Sequence, residues 1–417
     1  MRSLLVPIRL MQFLPWLFFL VGGAMALHFA GTNAAPGESG NAAIALLQTG
    51  TIANPYLIPT GPTAHVSPPL VGLIATIFYF FGTNTVPARA VLGIVTALMY
   101  ALSMRAALRI LTVAGAGRAA ICVAGLLFLL FNMFLYQTVG PDRQWDEPFA
   151  ALILTQGWLF LEQSGRSKTP YRSMIAMAAL AGLGGLFSPA IFPTLAVSLA
   201  WMIWTYRKLI DIRRAALLSG AVVMIFLLPW GVRNRIELGQ FIFSRSNFGL
   251  ELAIGNAPGA LGYSGSGTGN PLHPHDSLPA AREVARVGEV AYMHKMTAQA
   301  LDWIRADPAR FAMLCLTRLR LLFFPLPAMA GWYPGLGSTL PFLLLTLLGI
   351  LRLGALASVV WLRARPIAAI LYTVLPLAPY VLAHVSVRYE STTFFVSVVM
   401  ISLAIDRALS RPSRQES

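Results

Sequence analysis

The chain has 417 residues, of which 57 % are hydrophobic and 11 % charged, with a formal net charge of +15. Long apolar runs recur from end to end, each near the roughly 20 residues a helical span needs, whereas a β-barrel would show short alternating strands. The sequence therefore reads as an all-α polytopic membrane protein, and its basic residues cluster between apolar runs, where they set topology and are no footprint of nucleic acid. The two cysteines, Cys122 and Cys315, lie in apolar surroundings and are too few for a disulfide framework.

Arg2 and Arg9 precede the first apolar run, 10–30. A signal peptide is an alternative reading, but the run is long for one, and an uncleaved first span with a cytoplasmic N-terminus is expected. The loop 31–69 that follows would then be outside. It contains Glu38, the only carboxylate before Asp142, then a short helical run over 41–47 and a Pro-rich end through His65, Pro68 and Pro69.

The run 70–81 is short. If it crossed, the next run, 86–111, would end outside with Arg105 and Arg109, against the positive-inside rule. A juxtamembrane or re-entrant helix on the outer side is expected there instead. Span three, 119–138, leads out to GPDRQWDEP, with Asp142, Asp146 and Glu147; span four, 149–161, returns to the basic GRSKTPYRS. Spans five and six pair around Phe187, Ser188 and Pro189, and the basic RKLIDIRR at 207–214 precedes span seven, 215–230.

The longest polar segment, 233–308, holds a Gly/Ser/Pro-rich stretch, GYSGSGTGNPLHPHD, and then a helical stretch with Glu283 and Glu289. The amphipathic 310–324 should lie in the interface. Spans eight to ten, 340–362, 367–383 and 392–404, end in a basic tail. The expectation is about 10 crossings with both termini inside. It divides the chain into a transmembrane module at 1–230, an outer loop region at 231–309, and an interfacial helix with the last spans at 310–417.

On this topology Glu38, Asp142, Asp146 and Glu147 share the outer side. A carboxylate within hydrogen-bond reach of a hydroxyl is a general base, and a second acid can orient the acceptor or ligate a divalent metal. Asp142, Asp146 and Glu147 also suit the start of span four through the helix dipole. The histidines of HPHD, His273 and His275 with Asp276, have short spacing and no third ligand cluster after them, so a metal site is not expected there. Trp145, Trp332 and Tyr333 read as interfacial aromatics.

Four pieces in order carry a resemblance: ESGNAAIALLQTG, HVSPPLVGLIATIFYFFG, PWGVRNRIELGQFIFSRSNFGLELAIGN and RYEST. Together the chain resembles the C-type (GT-C) membrane glycosyltransferases, in particular the family 39-like group of protein O-mannosyltransferases and lipid A aminoarabinose transferases. The resemblance implies a polyprenyl-phosphate-sugar donor, an extracytoplasmic acceptor and an outward-facing site in a bacterial-type inner membrane. Glu38 matches the first-loop catalytic acid, although members carry Asp or an Asp-Glu pair and Gly37 precedes it here. Glu147, with Asp146 beside it, matches the second-loop acid. Arg233, Arg235 and Arg388 match the basic residues that hold the lipid phosphate, with snorkelling at span ends as the alternative. His65, Asn247, Asn256 and Tyr389 complete the candidate substrate contacts. The cofactor is unknown, with a divalent metal as one option. The implied reaction is inverting transfer, with Glu38 taking the acceptor proton and arginines holding the departing phosphate. Glu38 and Asp146 or Glu147 should line one outer cavity, because donor and acceptor must be held together. The alternative is a non-catalytic transporter or flippase of lipid-linked sugars, which would place polar groups near the bilayer midplane; the acids here lie in loops.

Overall fold

A computed structural model describes residues 2–32, 35–139, 145–164, 170–263, 270–330, 339–362 and 366–409. Asp142, Arg166, Trp332 and Tyr333 lie outside these. In chain order come α1 (Arg2–Ala30), α2 (Glu38–Thr49), α3 (Pro68–Phe81), α4 (Val86–Ala114), α5 (Arg118–Val139) and α6 (Glu147–Ser164). Then α7 (Pro170–Phe187) and α8 (Phe192–Thr205) form the tight pair around Ser188, and α9 (Ile212–Leu238) follows. The polar segment folds as α10 (Phe248–Gly255), α11 (Leu278–Val287), α12 (Glu289–Ala306) and α13 (Pro308–Phe323). The chain continues as α14 (Pro327–Ala330), α15 (Thr339–Leu362), α16 (Pro366–Thr373), α17 (Ala378–Leu382) and α18 (Glu390–Leu409). Among the described residues there is no strand, only isolated bridges such as Tyr263 with Val385.

Among the described residues five helices, α1, α4, α9, α15 and α18, are long and apolar enough to cross a membrane. Their outward side chains, among them Leu20, Leu27, Leu217, Ile225 and Ile350, are exposed and apolar. That is what a lipid-facing surface requires, and the chain is an integral membrane protein. The other crossings expected from the sequence fall on shorter or less apolar helices. At 14 residues α3 is about 21 Å long, and at 16 residues α13 is about 24 Å, both short of a bilayer core.

The centre is built from two kinds of contact. Small residues let backbones approach: Ala97, Ala101, Ala107, Ala150, Ala151, Ala178 and Ala181 are buried where α4, α6 and α7 meet their neighbours. Gly182 faces Phe226 of α9 so closely that a Cβ there would press into the ring. Aromatic rings fill the remaining volume. Phe395 of α18 meets Tyr100 of α4 at 5.7 Å and Phe128 of α5 at 5.6 Å. The buried Arg89 donates from Nε to the Ala30 carbonyl at 2.9 Å, closing the C-terminus of α1.

Two expectations change. Span seven does not end before the arginines: α9 continues through Pro229 to Leu238, so Arg233 and Arg235 stand on helix and not in an exit loop. Span nine is not one helix. Pro376 and Pro379 break it into α16, a 3-10 turn at Leu375–Leu377 and α17, because proline removes backbone donors. Carbonyls near the ends of the pieces find side chains: Arg318 of α13 donates to Val381 O at 3.2 Å and Leu382 O at 2.9 Å, and Thr194 donates to Leu371 O at 3.0 Å. Arg318 also reaches the Gly255 carbonyl and Asn256 Oδ1. α10 and the broken segment touch so closely that any Cβ at Gly255 would overlap the Ala383 carbonyl.

Candidate active site

The first loop folds back on α9 and α12. Asn54 adopts a left-handed φ of 56°, and its Oδ1 accepts from Thr60 N at 2.9 Å and Gly61 N at 2.8 Å, which makes the turn. Arg233 donates to Thr63 O at 2.8 Å and Ile52 O at 2.6 Å, with its plane over Trp230 at 4.8 Å. Glu289, 3 % exposed, accepts from Ala64 N at 2.8 Å, Ser246 Oγ at 2.7 Å and the Thr63 hydroxyl. It thereby ties the first loop to the segment that carries Arg245 and Asn247.

This scaffold sets His65 Nε2 at 3.1 Å from Glu38 Oε1 and His273 Nε2 at 3.7 Å from the same oxygen. The two imidazoles stand perpendicular, 5.7 Å apart. Burial works against charge on Glu38, but His65 and His273 outweigh it and hold the carboxyl well below the usual carboxylate range. Burial likewise opposes charge on His65, and Glu38 raises its pKa above the ordinary histidine value.

One oxygen and two imidazole nitrogens within 4.8 Å of one another make a donor set that suits zinc. The outer partners are not set for it. His273 Nδ1 accepts the backbone N–H of His275 at 3.2 Å, so its proton sits on Nε2, the nitrogen a metal would need, and His65 Nδ1 is buried with no partner. A ligating histidine donates its other N–H outward. As folded, the cluster is a carboxylate ion-paired with two imidazoles, and Glu38 Oε1 is itself buried without a hydrogen-bond partner.

Beside it lies a cavity of about 260 Å³ whose walls include Asp146, Glu147, Arg245, Asn247, Arg388 and Tyr389. Glu147 opens α6 and is 6 % exposed. Its Oε1 is 3.5 Å from Arg388 Nε, and its Oε2 is buried with no hydrogen-bond partner. Burial pushes its pKa up to about 7; Arg388 opposes that shift and Asp146 adds to it. Arg245 Nη2 meets Asp146 Oδ2 at 2.9 Å and donates to Phe187 O at 2.6 Å, while its Nε is buried and unpartnered. Burial disfavours its charge, but Asp146 more than offsets this. Arg388 lies over Trp145 at 4.7 Å, and Tyr389 stacks on Tyr380 with centroids 3.9 Å apart. The cavity thus offers guanidinium N–H groups, a carboxylate oxygen free to accept a proton, and aromatic walls.

The residues singled out in the sequence divide three ways. Asp146, Glu147, Asn247, Arg388 and Tyr389 come together in the cavity. Glu38 and His65 stand outside its lining, with His273, whose third partner comes from the first loop and not from after HPHD. Arg233, Arg235 and Asn256 are occupied elsewhere. Arg233 holds first-loop carbonyls, the exposed Arg235 caps its own helix at the Gly239 carbonyl, and Asn256 is buried with its amide on Leu252 O and Leu382 O and its oxygen on Arg318. Arg245, Glu251, Glu289 and His384 were not singled out. Arg245 carries a readable signal, an arginine inside SRSNFG next to the candidate Asn247; the others gain meaning only from contacts distant in sequence.

Helical architecture, apolar helices and a polar site gathered in loops define a polytopic membrane protein with a buried, charge-lined cavity. No protein-family model matches the chain, and the search of curated proteins returns no match. Among solved structures, an Archaeoglobus fulgidus oligosaccharyltransferase tethered to an acceptor peptide aligns with 95 % of the chain and 50 % of its own, at 14 % identity and a TM-score of 0.51. The A. fulgidus oligosaccharyltransferase AglB with an inhibitory peptide and dolichol-phosphate aligns with 98 % of the chain and 53 % of its own, at 14 % identity and 0.48. ArnT from Cupriavidus metallidurans, bound to undecaprenyl phosphate, aligns with 97 % and 78 % at 12 % identity and 0.38. The first of these carries the assignment: the fold is that of the C-type (GT-C) membrane glycosyltransferases. The chain spans about half the length of the oligosaccharyltransferase.

Proposed function

We propose that the chain is an inverting glycosyltransferase that moves a sugar from a polyprenyl-phosphate donor to an acceptor on the extracytoplasmic face. The observation that carries the reading is the pairing, in one cavity, of a neutral-range carboxyl with a free oxygen, Glu147, and two guanidinium groups, Arg245 and Arg388. In the reaction the acceptor hydroxyl gives its proton to Glu147 Oε2 as its oxygen attacks the anomeric carbon from the face opposite the phosphate. The bond from that carbon to the phosphate oxygen breaks, and the electron pair leaves with the lipid phosphate. Arg388, with Arg245 behind it, holds the charge that develops there, by forked charge-assisted hydrogen bonds. Asp146 holds Arg245 and raises the proton affinity of Glu147. Glu38, clamped by His65 and His273, fixes the first loop against the polar segment. The resemblance in sequence supports the donor class, and the GT-C fold supports the reaction class.

The transport alternative needs a working charge inside the bilayer. A buried charge pair does lie between two of the long apolar helices: Arg352 of α15 meets Glu390 of α18 at 2.7 Å. Arg352 also donates to Ser397 at 2.9 Å and Thr393 at 2.8 Å, and is 3 % exposed. Its donors are spent on α18, which marks it as a bolt between helices.

The test is binding of undecaprenyl phosphate to the purified full-length protein. Saturable binding that weakens at least about tenfold in Arg388→Ala, with inorganic phosphate a poor competitor, is expected. No saturable binding to the wild type contradicts the reading.

A further inference from the structure

The reaction above leaves one part of the cavity wall unused. His384, from the segment after α17, is 7 % exposed, and Glu251 of α10 faces it. His384 Nε2 is 3.4 Å from the Tyr389 hydroxyl, and that oxygen accepts from Arg388 Nη2 at 3.3 Å. With its oxygen already accepting, the phenol is free to donate to Nε2, which places the imidazole proton on Nδ1. The opposite tautomer would set a bare nitrogen lone pair against the Glu251 carboxylate. Burial disfavours charge on His384 and outweighs Glu251, so the ring is neutral and has one N–H to offer.

That N–H makes no full hydrogen bond, although the Glu251 backbone stands near enough to favour it. His384 Nδ1 is buried without a hydrogen-bond partner, and Glu251 Oε2 is 3.6 Å away, too far for a direct bond. Glu251 is oriented by Asn247, whose Nδ2 donates to Oε1 at 3.3 Å. The cavity therefore presents a donor and an acceptor side by side, each fixed by a residue behind it, with the buried donor left without a hydrogen bond. A hydroxyl group matches this pair. Its oxygen accepts from Nδ1–H, its proton goes to Oε2, and one oxygen within about 2.8 Å of both closes a 3.6 Å gap. A phosphate oxygen fits badly, because it has no proton for Oε2, and a methyl group satisfies neither atom.

We propose that Glu251 and His384 form a hydroxyl-reading pair that recognises one ring hydroxyl of the sugar carried by the lipid phosphate. The inference rests on the proposed function and adds a subsite to it.

The experiment measures the affinity of the full-length protein for bare undecaprenyl phosphate and for undecaprenyl phosphate carrying mannose, glucose or arabinose. The same set is repeated on His384→Phe and Glu251→Gln. At least one glycosylated lipid is expected to bind the wild type roughly tenfold or more tightly than the bare lipid, since a site built for a hydroxyl discriminates strongly against its absence. Each variant should remove that gap and hold the bare lipid within about twofold of wild type. A gap that survives in both variants, or no gap for any of the sugars, overturns the pairing and means that water alone occupies the site. Failure of bare undecaprenyl phosphate to bind the wild type overturns the proposed function, and the pair's role with it. Two variants in different elements guard against one of them failing to fold.

Discussion

A carboxyl group serves as a general base at neutral pH when its pKa lies near the working pH. Glu147 meets that condition through burial, with a value of about 7. Glu38 does not, because two imidazoles hold its pKa low and leave it little affinity for a proton. The transfer rate is therefore expected to rise with pH as Glu147 loses its proton and to level off above about 7; a rate flat from pH 5 to 8 would remove Glu147 as base. Stability runs the other way. The folded pKa of Glu147 lies above the roughly 4.3 of an unfolded chain, so its contribution is complete below that value and is lost as pH rises through about 7. Glu38→Gln should lower the melting temperature by loosening the first loop and keep turnover per folded molecule within about tenfold of wild type, with no loss on chelation by EDTA. A 10²–10⁴-fold loss at unchanged melting temperature would return the base to Glu38. The sequence marked both acids because each sits in an outer loop. The resemblance gave the base to Glu38; the proposed reaction gives it to Glu147 because of what surrounds each: Arg388 and a solvent-poor cavity for one, His65 and His273 for the other.

At the scale of elements, the broken span between α16 and α17 is the feature least legible in the chain. Its hydropathy reads as one continuous run, and only Pro376 and Pro379 hint at the break. The carbonyls at the end of α17 are held by Arg318, fully buried on α13. Arg318→Met should be strongly destabilising. It strands the carbonyls of Gly255, Val381 and Leu382, at about 1–3 kcal/mol for each unsatisfied group. Thermal unfolding in detergent reads this directly, and a wild-type melting temperature would show that the carbonyls find other donors. The long apolar helices were readable because span length and composition are local properties. The extension of α9 through PWGVRNR was not, because Pro229 reads as a stop and the first-loop carbonyls that Arg233 meets lie far away in sequence.

For the whole molecule, the first loop is tied through Glu289 of α12 to the segment that carries Arg245 and Asn247 of the cavity, and the basic 207–214 turn stands at the far end of α9 from Arg233. Cysteine substitutions at Glu38 and Glu283 should label from the extracytoplasmic side and one at Arg207 only from the cytoplasm, on a background lacking Cys122 and Cys315. Labelling of positions 38 and 207 from the same side would invert the topology. The reaction itself is tested most directly by one comparison in reconstituted membranes: release of free undecaprenyl phosphate from its glycosylated form, by wild type and by Glu147→Gln, with bare-lipid binding measured on the same preparations. Loss of 10²–10⁴-fold in rate with binding retained is the expected result. Turnover near wild type in a folded, lipid-binding Glu147→Gln protein would contradict the assignment of the base and of the cavity as the site of transfer.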